Sequence, residues 1–315
     1  MRALALTLAL VSLAACGGSK DERQISVPVP TTARWEDAFE RIPPLLAVVH
    51  PQALRRDKVY GPLLKRLSQL AATRSAAVAA TRTMEALESC EEIIVGMDEE
   101  GAGALVLRGV RADIDPTKLV DTTGATVWRG QGGGGKVPEY VHEESGVTAS
   151  LFVLPERTWF ITVGAGRDFA REAFAHPSGR PALKYDADAL VSVRMQGPAL
   201  LRHVKQLRAH GALEALGTKL VWANLALAPG KDGAISATLA YSDEESAARA
   251  EVTAKHVVDV LRDKKVERFG WLFDAKIARD DPKVVTVRAP LPPQLLKGLE
   301  RANDARDLDD PDLPE

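Results

Sequence analysis

Short aliphatic runs separated by turn chemistry recur from residue 45 to residue 288, and this succession constrains the fold more than any other feature of the chain. Leu45-Leu46-Ala47-Val48-Val49, Ile93-Ile94-Val95-Gly96-Met97 and Ala104-Leu105-Val106-Leu107-Arg108 are short for helices and right for buried strands. Residues 125–128, 147–154 and 158–163 continue the series. Between them, Tyr60, Leu63, Leu64, Leu67 and Leu70 fall at helical spacing, and an alanine-rich second helix is expected over residues 75–88. Asp115-Pro116 offers an N-cap residue followed by proline at the first helical position. Phe169, Ala170 and Phe174 mark a further helix, ended by Pro177-Ser178-Gly179.

The same grammar then begins again. Ala189-Leu190-Val191-Ser192-Val193 reads as a strand, Leu200, Leu201, Val204, Leu207 and Leu213 as a helix, and residues 220–228 and 234–241 as a hairpin around Pro229-Gly230-Lys231-Asp232-Gly233. Ser242-Asp243-Glu244-Glu245 is a capping-box pattern in which the serine oxygen and a glutamate carboxylate satisfy orphan amides. Ala250, Ala254, Val257, Val258 and Leu261 form the inner face of the helix it opens. Strands over 270–277 and 284–288 and a last helix from Pro292 complete the series. Gly61-Pro62-Leu63-Leu64-Lys65-Arg66 is echoed by Gly197-Pro198-Ala199-Leu200-Leu201-Arg202. The expectation is an α+β fold of two similar halves, residues 36–180 and 181–302, each a mostly antiparallel sheet with helices packed on one side.

Composition supports a packed interior, with 45% hydrophobic residues and 5% aromatic ones. Lysine and arginine number 41 against 43 acidic residues and are interspersed, which lacks the concentrated positive surface that neutralises phosphates, so no nucleic-acid partner is expected.

The chain opens with Met1-Arg2 and a short apolar run to Ser12, too short for the ~20 residues of a stable membrane span. The run ends in Leu13-Ala14-Ala15-Cys16-Gly17, which resembles the lipobox of bacterial lipoproteins. That resemblance implies a signal peptide over residues 1–15, cleavage before Cys16, and diacylglyceryl transfer to the Cys16 thiol. Two or three acyl chains anchor firmly where one binds only marginally. Gly17 in place of aspartate implies, by the enterobacterial rule, release to the outer membrane. The broad layout of the body likewise resembles uncharacterised bacterial envelope lipoproteins built from paired α+β modules, a likeness of pattern that carries no function. Residues 16–35, rich in Gly, Ser and charge with Val27-Pro28-Val29-Pro30, are expected to form a flexible tether. Residues 303–315 are expected to form an acidic disordered tail.

Candidate chemistry is sparse. Gly130-Gln131-Gly132-Gly133-Gly134-Gly135-Lys136 has phosphate-loop spacing, but Val137 stands where a magnesium-binding hydroxyl belongs and Pro138 opposes a following helix. His142-Glu143-Glu144-Ser145-Gly146 begins like a zinc-protease motif yet has Gly146 in place of the second histidine. His203 and His210 lie two turns apart without a third ligand, and the pairs Glu99-Glu100, Asp280-Asp281 and Asp309-Asp310 sit in turn-like or tail segments. Once Cys16 is acylated, Cys90 is the remaining thiol; beside Glu91 and Glu92 it reads as buried and inert. The reading is therefore a membrane-anchored, non-enzymatic binding or scaffolding lipoprotein with no catalytic residue, metal site or cofactor. Its partners are membrane lipid through acylated Cys16 and an envelope protein, and its address is the outer membrane, facing periplasm or surface. Two alternatives stand beside it: a carrier of lipid or another apolar ligand, and a hydrolase gathering His142, His176 or His203 with a carboxylate.

Overall fold

The computed structural model describes residues 33–39, 43–58, 60, 61, 87, 89–98, 103–119, 127–131, 137–144, 147–164, 166–177, 183, 185, 188–206, 216–229 and 234–291. Among the described residues twelve strands form one sheet: β1 (Leu45–Val49), β2 (Glu92–Met97), β3 (Gly103–Arg108), β4 (Arg129–Gly130), β5 (Glu139–Glu144), β6 (Val147–Leu154), β7 (Thr158–Val163), β8 (Val191–Gln196), β9 (Leu220–Ala228), β10 (Ala234–Tyr241), β11 (Lys276–Asp281) and β12 (Val284–Pro290). Their order is β11-β12-β10-β9-β8-β1-β2-β3-β7-β6-β5-β4, and every neighbouring pair is antiparallel.

The fold is thus α+β, as expected, but its strands belong to one continuous sheet rather than to two. The join is made by β1, whose five residues pair with β2 on one side and with β8 on the other. A five-residue strand with Leu46 and Val48 almost fully buried on one face and Leu45, Ala47 and Val49 half-buried on the other belongs in a sheet centre. Satisfying both of its hydrogen-bonding edges is what fuses the sheet.

The helices α1 (Pro51–Arg56), α2 (Gly166–Ala175), α3 (Gly197–Gln206) and α4 (Glu244–Asp263) do not all pack on one side. Ala170 and Phe174 of α2 join Leu46, Val48, Ile94, Val106, Phe152 and Phe160 in a core that also takes Trp35 from the short 3-10 helix Trp35–Ala38. Ala247 and Ala250 of α4 pack with Val285, Leu239, Ala223 and Ile277. Strand register relates Val285, Leu239 and Ala223 to Met195 and Leu45, on the face opposite Leu46. The helices α2 and α4, which belong to different halves, therefore cover opposite faces, because side chains alternate along each strand and both faces of the sheet carry apolar residues. On the Leu45 face, Cys90, Val95, Leu105, Leu107, Val110, Leu119, Leu151 and Trp159 form a second buried cluster, so β2, β3, β6 and β7 are covered on both sides.

Several local readings shift. The capping residue of α4 is Asp243, not Ser242: its Oδ1 accepts from Ser246 N at 2.8 Å. Asp115 caps the short 3-10 helix Pro116–Lys118, its Oδ1 accepting from Thr117 N at 2.9 Å. Residues Glu267–Leu272 form a 3-10 helix where a strand was expected, and the strand begins at Lys276. Of the strand expected at 125–128, residues 125 and 126 lie outside the described residues and 127 and 128 precede the two-residue β4, and β5 was not anticipated. Ala33 and Trp35, at the end of the expected tether, are buried. The helices expected over 62–70 and from Pro292, most of that over 75–88, the leader, Cys16 and the tail lie outside the described residues.

Candidate functional site

Three central strands deliver polar side chains to one point. His50 follows β1, Glu92 opens β2 and Arg108 closes β3, and antiparallel pairing sets Glu92 opposite Arg108. Arg108 Nη1 donates to Glu92 Oε2 at 2.5 Å, and the Tyr185 hydroxyl donates to the same oxygen at 2.8 Å. His50 Nε2 lies 3.4 Å from Glu92 Oε1, while its Nδ1 lies 2.7 Å from the carbonyl oxygen of Ala189, just before β8. The Glu92 side chain is only 17% exposed.

Electrostatics fix the protonation of this cluster. The hydrogen bond from His50, with those from Tyr185 and the charge of Arg108, outweighs burial and holds the Glu92 carboxyl down to about 2. Burial, then the bond to Glu92, pushes Tyr185 up to about 12. A carbonyl and an ionised carboxylate only accept, so an imidazolium donating from both nitrogens satisfies both of its neighbours, whereas a neutral ring satisfies one. A carboxylate ionised throughout the physiological range has no proton to give and little basicity, so Glu92 itself is poorly suited to general acid–base work. It ties β1, β2 and β3 to the start of β8.

A second cluster pins α2 to the sheet. Glu139 of β5 accepts from Arg167 Nε at 2.9 Å and from Arg171 Nε at 2.6 Å, and Gln131 Oε1 accepts from both arginines. This also accounts for the first residues of the glycine-rich run. Gly130 is paired with Tyr140, Gln131 anchors α2, Val137 is buried, and residues 132–136 lie outside the described set.

Among the described residues, the others singled out from the sequence do not converge. His142 is buried on β5, its Nδ1 3.0 Å from the Val127 carbonyl and its ring 5.9 Å from Trp128. His176 is exposed beyond the end of α2, 3.8 Å from Glu172. His203 lies on α3, and His210 falls outside the described residues, as do Glu99-Glu100 and Asp309-Asp310. Asp280 and Asp281 are exposed on the edge strand β11. Cys90 is fully buried, and burial pushes its thiol up to about 12, as an inert cysteine should be. Among the described residues no group of three His, Cys, Asp or Glu side chains could hold a metal ion. No described helix is long and apolar enough to cross a membrane. Sequence reasoning missed the Glu92 cluster; its trace was a carboxylate and an arginine at the outer ends of two adjacent apolar runs, which a hairpin pairing places opposite one another.

No protein-family model matches the chain, and no curated protein matches it. Among solved structures, crystal form I of TP0453, from Treponema pallidum, aligns with a TM-score of 0.48 at 10% identity, covering 85% of this chain and 96% of that one.

Proposed function

We propose that this chain is a lipid-anchored envelope lipoprotein that binds or scaffolds another envelope component without catalysing a reaction. The single observation that carries the anchor is Leu13-Ala14-Ala15-Cys16-Gly17 after a short apolar run. The acylated Cys16 is the contact with membrane lipid, and Gly17 favours the outer membrane. Binding as the activity is supported by the state of the chemical groups in the body: Glu92 is clamped in its ionised form and Cys90 is sealed from solvent.

Two similar halves remain part of this reading. Outward from the central pair, β1-β2-β3-β7-β6 and β8-β9-β10-β12-β11 follow the same connection order: three successive strands, then the last of the half, then the one before it. A second function, carriage of an apolar ligand, is favoured by one row on the Leu45 face. Val193, Leu225, Ala237 and Val287 are cross-strand neighbours there, and Leu225 is 53% exposed.

Intact-mass measurement of membrane-extracted protein, beside Cys16→Ser, tests the anchor. A chain beginning at Cys16 with a diacyl or triacyl mass, lost in the variant, is the expected result. An unlipidated soluble chain overturns it and makes a freely diffusing binding protein the better description.

A further inference from the structure

The pairing of β1 with β8 joins the two sides of the sheet, and the end of that seam is held by side chains whose bonding depends on a proton. His50 continues both ladders of β1 by one rung. Register sets it beside Glu92 on one side and beside Leu190 on the other, whose carbonyl accepts from the His50 backbone N–H at 3.0 Å. The ring reaches both neighbours: Nδ1 lies 2.7 Å from the carbonyl oxygen of Ala189, ahead of β8, and Nε2 lies 3.4 Å from Glu92 Oε1 on β2. Only 11% of the His50 side chain is exposed, so water is a poor substitute for either partner.

These partners rank the forms of the ring. A carbonyl oxygen at 2.7 Å from a ring nitrogen requires a proton between them, so Nδ1 is the donor to Ala189 in every form that keeps this geometry. Nε2 is then the nitrogen that titrates. Protonated, it donates to the ionised Glu92 carboxylate; deprotonated, it turns a lone pair toward that carboxylate in a buried site, where an unmade bond is costly. Burial and Arg108 of β3 oppose a positive ring. The Arg108 side chain, however, is 36% exposed and engages the other Glu92 oxygen, Oε2, which the Tyr185 hydroxyl shares. The charges next along the neighbouring segments, Arg55 and Arg56 of α1 and Asp188 beside Ala189, are exposed and screened by solvent.

We propose that His50 is a proton-operated latch between the two sides of the sheet: protonated, it bridges Glu92 on β2 to Ala189 ahead of β8, and on losing its Nε2 proton it releases Glu92 and loosens the β1–β8 seam. The latch goes beyond the binding reading and rests on neither that reading nor the lipid anchor, so failure here leaves the mass result on Cys16 untouched. A group that holds its proton more tightly folded than unfolded adds stability that is complete below its unfolded value, about 6.5 for histidine, and is lost as pH rises through the folded one. The latch therefore opens on the alkaline side of neutral, in a window separate from that of the Glu92 carboxylate.

The test is urea unfolding of the full chain and of H50Q between about pH 5.5 and about pH 9, with hydrogen exchange of both native proteins read by mass spectrometry. Glutamine does not titrate, so the other histidines cancel in the difference. The wild-type midpoint is expected to lead that of H50Q by a constant amount below about pH 6, and the lead to fall by at least half by about pH 9. Over the same range, protection of residues 45–49 and 191–196 relative to 158–163 should fall severalfold in wild type and stay level in H50Q. Where H50Q does not fold, E92Q takes its place: without the carboxylate facing Nε2, the relative protection of the seam should no longer follow pH. A lead that stays constant with pH makes His50 a structural residue only, and a lead that grows makes the neutral ring the stable form. Either result, or seam protection that ignores pH in wild type, overturns the proposal.

Discussion

One cross-strand row passes through the whole central sheet: Phe152, Phe160, Val106, Ile94, Val48, Ser192, Ala226, Ser236, Arg288, Lys276. On one side of the β1–β8 seam it is aromatic and aliphatic, and every member is at most 2% exposed. On the other side Ser192 and Ala226 are still buried, at 2% and 3%, and the row then passes through half-buried Ser236 to exposed Arg288 and Lys276. The reason is what each side has to cover. Over the first side lie α2 and the 3-10 helix Trp35–Ala38, with Phe174 at 5.3 and 5.4 Å from the rings of Phe152 and Phe160. On the second side α4 packs against the opposite face, and this face keeps polar residues. The same strand order therefore yields a two-sided core in one region and, in the other, a face that opens only towards its outer strands, and the difference lies in the side chains rather than in topology.

The largest way to strain this comparison is Phe160→Ala. Removing a ring 1% exposed that touches three others is expected to cost about 4 kcal/mol in urea unfolding, through lost transfer energy and the cavity left behind. A cost under about 1 kcal/mol would mean that the first side is not the core.

Glu92→Ala comes next, with an expected loss of about 2 kcal/mol, because it leaves the buried His50 and the partly exposed Arg108 without their counter-charge. The linkage has a definite sign. Glu92 has its carboxyl lowered to about 2 in the folded chain, against about 4.3 unfolded, so its contribution is complete above the unfolded value. That contribution disappears as pH falls through the window from roughly 4 to 2. Urea midpoints of wild type and variant should converge in that range; a constant gap between them down to pH 2 would remove Glu92 from the seam.

The smallest effect is expected from Ser236→Ala, in the same row as Phe160. A half-buried hydroxyl on a presented face should change stability by less than about 0.5 kcal/mol, and a larger loss would indicate a buried network there.

Much of the fold was legible in the sequence because strand chemistry is local. The runs at 45–49, 147–154, 158–163, 220–228 and 234–241 coincide with strands, since each combines apolar or β-branched residues with turn chemistry at its ends. What could not be read was non-local. Nothing within Leu45-Leu46-Ala47-Val48-Val49 specifies that both edges of this strand are paired, which is what turns two sheets into one. The strand β5, Glu139-Tyr140-Val141-His142-Glu143-Glu144, escaped notice because its carboxylates mask the alternation; Glu139 is held by two arginines of α2, far along the chain. The Glu92 cluster draws on residues from 50 to 189.

The most direct test of the asymmetry compares two single cysteines in that one row, Val106→Cys and Ser236→Cys, by maleimide labelling of the native protein. Cys90, fully buried, serves as the internal standard for a protected thiol. The account predicts that the thiol at 236 labels at least a hundredfold faster than Cys90, while the thiol at 106 labels only as slowly as Cys90, through unfolding. Equal protection at both positions would contradict it, showing that the second side of the sheet is covered like the first.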